Sequence, residues 1–254
     1  MGGKEGNKYI NLLQNLQNIK FNSFKINFKI LKNHTGSIYY LSKLNDGRLI
    51  SCSNDCFLNI YKKDSYELQL SVKEHSRGIL SFTELKDRRI ITCSYDKTMK
   101  IIKLIGEDKY QIEQTLQEHT NYVCKVIEIK ENELISVSFD KTMKILKLNN
   151  QFECFQPIIF QNSISYCNIL RLNENEFVTS SQSDNCLKFW NSNNYSNITI
   201  INNIEIAWGF QAMCLLEDDL LCVGGNNSKG FYLIKLSNPP EAIVPSFNST
   251  HERI

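Results

Sequence analysis

Histidine and aspartate recur in this chain at a spacing that could support acid–base chemistry. Three times a His is followed, 21 residues later, by an Asp in a Ser/Thr-rich turn, and the pairs are His34 with Asp55, His75 with Asp96, and His119 with Asp140. A His, an Asp and a nearby hydroxyl are the groups of a hydrolase triad. The histidines, however, follow one another at steps of 41 and 44 residues. That period indicates an array of one repeated structural unit.

The same order of short apolar segments surrounds each pair. The segments that end at the turn read RLISCSND from Arg48, RIITCSYD from Arg89, ELISVSFD from Glu133 and EFVTSSQSD from Glu176. A polar loop precedes each segment, and the pair Asp46-Gly47 is the strongest hairpin signal among these loops. Further apolar runs, such as TMKIIKL, follow the turns. Four short strands per repeat at this spacing predict the blades of a β-propeller.

Charge and cysteine content exclude several functional classes. The chain has 29 basic and 27 acidic residues and a net charge of +2, and its basic residues are dispersed, so we expect no nucleic acid and no membrane among its partners. Its nine cysteines form no CxxC pair, which supports neither a zinc site nor a disulfide framework and indicates a reducing compartment. The N-terminus lacks the apolar run of a signal peptide. We therefore expect a cytoplasmic protein with no cofactor and no metal.

The repeats resemble those of the WD40-repeat family, over roughly residues 24 to 254. The resemblance implies an all-β fold, a WD40-like β-propeller of about five four-stranded blades. The repeats are expected at about residues 32–72, 73–116, 117–159, 160–202 and 203–247. Residues 1–23 are expected to form a separate N-terminal segment. Apolar residues at three-residue steps within residues 8–20 predict a short amphipathic helix there, which packs over a propeller edge or docks elsewhere.

In the WD40 family a His, a Ser or Thr, an Asp and a Trp form a buried hydrogen-bonded set in each blade. The resemblance assigns these structural polar sets to His34, Ser51 and Asp55; His75, Thr92 and Asp96; His119, Ser136 and Asp140; and, in the fourth blade, Thr179, Asp184 and Trp190. Because the set recurs in successive blades, a structural role is favoured over catalysis, and we expect no catalytic residue.

The sets depart from the family pattern in every blade. The Trp position of the first three blades holds Tyr61, Ile102 and Leu146, and Asn162 stands at the His position of the fourth. In the fifth blade we expect Cys222 at the Ser/Thr position, Asn226 in place of the Asp and Glu205 in place of the His. This loss along the chain indicates a fold signature under weak constraint.

Ligands of the family commonly meet the top face, around the mouth of the central channel. The matching positions here are rich in aromatic residues and almost free of charge, so we expect a protein or peptide partner to bind at Tyr39, Tyr95, Tyr122, Phe139, Trp208 and Phe210. Large rigid side chains bury much area at little entropic cost. The alternative is that several of these residues only pack. Only Arg77 of the six arginines falls near this face, which disfavours phosphopeptide recognition.

Five visible repeats leave two interpretations of the ring. An open or incomplete propeller is favoured over a small closed ring of five blades, and its exposed edges would require self-association or capping by a partner. The predicted function is a noncatalytic scaffold that binds a peptide or protein surface at the top face. The alternatives are a propeller-fold hydrolase or lyase with a metal in the channel, and a fragment of a larger WD40-containing regulatory protein.

Overall fold

A computed structural model describes residues 29–148, 152–159, 166–181, 185–202, 204, 213–217, 219–224, 231–236 and 241–243. The chain divides into two compact units, residues 1–33 and His34–Ile254. Residues 29–33, the described part of the first unit, have no regular secondary structure. The amphipathic helix predicted within residues 8–20 lies outside the described residues.

The second unit is all-β and consists of five antiparallel four-stranded sheets, numbered here as blades 1 to 5. Blade 1 contains β1 (Ile38–Lys43), β2 (Leu49–Ser53), β3 (Leu58–Tyr61) and β4 (Leu68–Val72). Blade 2 contains β5 (Ile79–Glu84), β6 (Ile90–Ser94), β7 (Met99–Ile105) and β8 (Lys109–Leu116). Blade 3 contains β9 (Val123–Lys130), β10 (Glu133–Ser138), β11 (Thr142–Leu148) and β12 (Phe152–Ile159).

Blades 4 and 5 repeat this plan. Blade 4 contains β13 (Tyr166–Arg171), β14 (Glu176–Ser181), β15 (Cys186–Asn191) and β16 (Asn197–Ile201). Blade 5 contains β17 (Met213–Glu217), β18 (Leu220–Gly224), β19 (Phe231–Lys235) and β20 (Glu241–Ile243). In every blade the order of strands in the sheet is their order in the chain. The first strands of successive blades contact one another from β1 through β5, β9 and β13 to β17. The predicted arrangement of five four-stranded propeller blades is confirmed.

Apolar side chains on both faces of the blades fill the seams between them. Because successive side chains of a strand point to opposite faces, each blade presents a front face to the preceding blade and a back face to the following one. Four buried clusters lie in the seams between blades 1 and 2, 2 and 3, 3 and 4, and 4 and 5. Strands buried on both faces explain why segments such as RIITCS read as continuous apolar runs rather than as alternating ones.

The hairpin turns between first and second strands form where the polar loops predict them. In blade 1 the Gly47 amide donates to the carbonyl of Leu44 at 2.9 Å, and the φ of Gly47 is +95°. Arg88 holds the same place in blade 2 with a φ of +73°. This left-handed conformation is strained for a residue with a Cβ, so the turn of blade 2 forms at a conformational cost that Gly47 avoids.

The register of blade 5 corrects one residue assignment. Val223 pairs with Met213 and packs into the seam with blade 4. The residue at the same place in blade 4 is Thr179, which pairs with Ile169 on the front face of that blade. Val223, and not Cys222, therefore holds the Ser/Thr position. A shift of one residue moves a side chain to the other face of the sheet. The predicted stand-ins Asn226 and Glu205 lie outside the described residues.

Candidate functional site

Blade 2 shows the polar set in full detail. The Nδ1 atom of His75 is 2.8 Å from a carboxylate oxygen of Asp96, and its Nε2 atom is 2.7 Å from the hydroxyl of Thr92. Asp96 also accepts hydrogen bonds from the backbone amide of Ser76 at 3.0 Å and from the amide and hydroxyl of Thr98 at 3.0 and 2.6 Å. The set therefore connects the loop before β5, the strand β6 and the turn before β7.

Blades 1 and 3 repeat this geometry. In blade 3 the ring of His119 contacts Asp140 at 2.7 Å and the hydroxyl of Ser136 at 2.8 Å. In blade 1 the ring of His34 contacts Asp55 at 3.0 Å. The same ring lies 2.8 Å from the hydroxyl of Ser51. The sequence spacing of 21 residues thus brings each His to its Asp.

A serine two residues before each Asp completes the turn, and the sequence reasoning did not assign it. The hydroxyls of Ser53, Ser94 and Ser138 accept the backbone amide of the following Asp at 3.2, 3.0 and 3.0 Å. Ser94 and Ser138 also donate to carbonyls in the loop that enters the first strand. The signal was present in the sequence, since Ser-x-Asp recurs in all three turns.

The accessibility of the hydroxyls decides what these sets can do. Ser51 is only 2% exposed, and Thr92 and Ser136 are fully buried. A nucleophile must reach its substrate, and here both nitrogens of each ring are already engaged within the protein. The polar sets give buried polar groups their hydrogen-bond partners and hold the turns in place.

The aspartates of the sets are held in their charged form. Burial by itself raises the pKa of Asp96, but hydrogen bonds from His75 and Thr98 and the nearby imidazole outweigh it and hold the pKa well below its ordinary range. The pKa of Asp140 is lowered in the same way: burial raises it, but hydrogen bonds from His119 and Thr142 and the nearby imidazole outweigh that effect. Hydrogen bonds that favour the charged form are the reason for such a shift.

Blade 4 uses a different member of the family set. The indole Nε1–H of Trp190 donates to the hydroxyl of Thr179 at 2.9 Å. The ring of Trp190 is stacked on Phe177, with centroids 6.1 Å apart and planes inclined by 8°. Asp184 and Asn162 lie outside the described residues. Two strands of the blade are thus joined by one buried side-chain hydrogen bond.

Four of the six expected partner-binding residues form one continuous row. Edge-to-face contacts join the rings of Tyr39 and Tyr95 at 5.9 Å, of Tyr95 and Tyr122 at 4.8 Å, and of Tyr122 and Phe139 at 6.1 Å between centroids. All four side chains are partly exposed. We call these four residues the aromatic row, and it crosses blades 1, 2 and 3. Trp208 and Phe210 lie outside the described residues.

Backbone hydrogen bonds place the row. The amide of Tyr95 donates to the carbonyl of Gly78 at 3.0 Å, and the amide of Phe139 donates to that of Tyr122 at 2.9 Å. In each case the residue before the turn Asp donates a backbone hydrogen bond to the residue just before the first strand. The polar sets pin the same turns, so they also fix the aromatic side chains.

A shallow groove of about 500 Å³ lies along the row between blades 1 and 2. Its lining consists of Tyr39, Asn54, Cys56, Arg77, Gly78, Tyr95 and Tyr122. Burial and the hydroxyl of Tyr39 raise the pKa of Tyr95 above its ordinary value. The Tyr95 hydroxyl is therefore neutral at physiological pH and can both donate and accept a hydrogen bond.

A buried lysine is a further residue that sequence reasoning did not single out. Lys125 on β9 is 7% exposed, and its amine lies 5.6 Å from the ring centroid of Tyr40 on blade 1. Burial lowers the pKa of Lys125 to about 8. A cation over an aromatic face recovers part of the desolvation cost. The pattern VCKVIEIK gives no sign that this amine is buried.

A second groove, of about 570 Å³, lies between blades 1 and 2 and is lined with charges of both signs. Its arginines are engaged in ion pairs: Arg48 with Asp46 at 2.7 Å, and Arg89 with Asp87 and Glu113 at 2.6 and 3.2 Å. Charges that satisfy one another leave little to attract a charged ligand, so this groove is a weaker candidate site than the aromatic row.

Comparison with known families identifies the repeat in part of the chain. Residues 26–62 match the family described as WD domain, G-beta repeat. No curated protein matches the chain. Among the described residues there is no helix long and apolar enough to cross a membrane. The same part of the chain holds no cluster of three or more His, Cys, Asp or Glu side chains that could bind a metal ion.

Proposed function

We propose that this chain, which carries a WD40 repeat at residues 26–62 and folds into five β-propeller blades, is a noncatalytic scaffold that binds a peptide or protein surface. The fold commonly mediates protein interactions. The observation that supports a binding site at the top face is the continuous aromatic row from Tyr39 to Phe139.

The chemistry of the row favours an uncharged, partly apolar peptide segment. Aromatic rings already held by edge contacts lose little entropy when a partner covers them. The hydroxyls of the tyrosines can form hydrogen bonds with the backbone of an extended peptide. Arg77 at the groove supplies a single positive charge, so we expect at most one acidic position in the bound segment.

A propeller enzyme is less well supported as the function. It requires reachable nucleophiles or convergent carboxylates at a mouth. The hydroxyls beside the His rings are buried, and the groove along the row contains no carboxylate among its lining residues. A stoichiometric metal ion in the purified protein would favour this alternative.

Selection from a random peptide library tests the proposal. The immobilised chain should enrich peptides with a shared apolar or aromatic core, and the double variant Tyr95→Ala, Phe139→Ala should not retain them. The melting temperature of the variant must show that it is folded under the conditions of the selection, because Phe139 also packs against the buried cluster between blades 3 and 4. Peptides that bind both proteins equally would place the binding surface elsewhere, and the assignment to the row would be wrong.

A further inference from the structure

The front face of blade 1 exposes apolar side chains that the other blades bury. Ile38 and Leu41 are each 53% exposed, and Leu68 on the same face is 41% exposed. The strand registers give their counterparts in the next two blades. These counterparts are Ile79, Phe82 and Ile112 in blade 2, and Val123 and Val126 for the first two positions in blade 3. The preceding blade covers each of them.

The back face of blade 5 shows the complementary exposure. Leu216 is 53% and Phe231 is 49% exposed. The residues at the place of Leu216 in the earlier blades are Leu44, Leu85, Ile129 and Leu172, and those at the place of Phe231 are Leu58, Met99, Met143 and Leu187. All of these are buried in the seam with the following blade. Blade 5 therefore exposes an apolar back face of the type that, in the inner seams, packs against the front face of the next blade.

The charges at the edges of these two faces also match. In the first two inner seams a glutamate on the first strand accepts a hydrogen bond from an amide in the turn of the preceding blade: Glu84 from Asn45 and Glu128 from Lys86, both at 2.7 Å. In blade 4 this place holds Arg171. At this place blade 1 has Lys43. The corresponding turn of blade 5 reads Glu217-Asp218-Asp219. Lys43 on the front face of blade 1 and this acidic turn of blade 5 therefore carry opposite charges.

We propose that the front face of blade 1 binds the back face of blade 5 of a second copy of this chain, so that copies associate head to tail. The contact would resemble the inner seams, with apolar side chains at the centre and opposite charges at the rim: Lys43 on one copy, and on the other the turn that contains Glu217 in its sequence. Because the two surfaces differ, the contact is heterologous and each copy keeps one free end. The aromatic row takes no part in it, so self-association and peptide binding can fail independently.

Complementary variants test this contact by sedimentation velocity. The full-length wild type should form species larger than a monomer in a concentration-dependent way. Leu41→Asp and Leu216→Asp should each abolish them, because each places a charge in the apolar contact. An equimolar mixture of the two variants should form a dimer and nothing larger, since one keeps an intact back face and the other an intact front face.

Two controls separate loss of contact from loss of fold. Ile200→Asp changes an apolar side chain of β16 that is 45% exposed and belongs to neither end face, so it should associate like the wild type. If either face variant unfolds, Lys43→Glu and Glu217→Lys replace it: each should weaken association, and the double variant in one chain should restore it. A wild type that remains monomeric at every concentration overturns the proposal, whether the end faces close within one chain or bind another protein. So does a mixture of folded face variants that stays monomeric.

Discussion

At the scale of single residues, accessibility separates the polar sets from a catalytic triad. His75, Thr92 and Asp96 have the residue types and the contacts of a triad, yet the hydroxyl is fully buried and the carboxylate also holds its own turn. The sequence predicted these contacts because the spacing of 21 residues between His and Asp is the same in blades 1 to 3. It could not show the burial, which depends on the neighbouring blades.

Removal of a carboxylate from a polar set should destabilise the fold. Asp96→Ala leaves the ring of His75 and the amides of Ser76 and Thr98 without this acceptor, at a cost of about 2–4 kcal/mol in the free energy of unfolding. Urea unfolding followed by circular dichroism measures it.

The matched control for this change is Asp87→Ala. Asp87 pairs with Arg89 in a turn, and its side chain is half exposed, so its loss should cost less than about 1 kcal/mol. Equal effects of the two substitutions would contradict the structural role of the polar set.

Because Lys125 is buried, the free energy of unfolding should vary with pH in the alkaline range. Its pKa is about 8 in the folded protein and close to the ordinary value of about 10.4 when unfolded. Between these values the unfolded chain binds more protons than the folded one, so the stability contributed at this site rises with pH. Below about pH 8 both states carry the charge, and the folded state bears the cost of burying it.

Lys125→Met should therefore stabilise the protein at pH 7, by on the order of 2–3 kcal/mol at most. The advantage over the wild type should shrink as pH rises from 8 towards 10, because the folded wild type then loses the proton of Lys125 and no longer buries a charge. The difference between the two proteins is measured by urea unfolding at each pH, which cancels the titration of other groups. A difference that does not change with pH would show that the amine is well solvated in the folded state.

At the scale of elements, the turns and registers decide which side chains meet. The sequence predicted the hairpin at Gly47 and the four-strand plan of the blades, because turn residues and apolar runs are local signals. It placed Cys222 where Val223 lies, since both are small and apolar and only pairing with Met213 fixes which one faces blade 4. Long-range pairing is absent from local patterns, and a register error of one residue is the result.

The seam between blades 1 and 2 leaves no space for a methyl group at Gly78. A Cβ at this position would lie 2.7 Å from Oδ1 and 2.8 Å from Cα of Asn54. Gly78→Ala should thus force the turn of blade 1 away from blade 2 and lower the free energy of unfolding by about 1–3 kcal/mol. The measurement is again denaturant unfolding.

Gly106 provides the comparison for this substitution. It lies in a turn with a φ of +69°, and a Cβ there would meet nothing within 4 Å. Gly106→Asn should change stability by less than about 1 kcal/mol, because Asn tolerates the left-handed conformation. If Gly78→Ala were as mild, the seam would have to be looser than the structure indicates.

At the scale of the whole molecule, the end blades differ from the inner ones in what covers them. Ile38 and Ile79 are the same residue type at the same register position, yet one is 53% and the other 1% exposed. No residue pattern could predict this difference, because it reflects the neighbour and not the strand. The aromatic positions were predicted one by one from the resemblance, whereas their union into a row depends on how three blades are set side by side.

The most direct test of the proposed binding surface is a calorimetric titration of a peptide selected on the wild-type chain. Tyr95 lies at the centre of the aromatic row, so Tyr95→Ala should weaken the dissociation constant at least about tenfold, or about 1.4 kcal/mol. Tyr66→Ala, which removes a tyrosine that is 46% exposed outside the row, should leave it unchanged. An unaltered affinity of a correctly folded Tyr95→Ala variant would contradict the account.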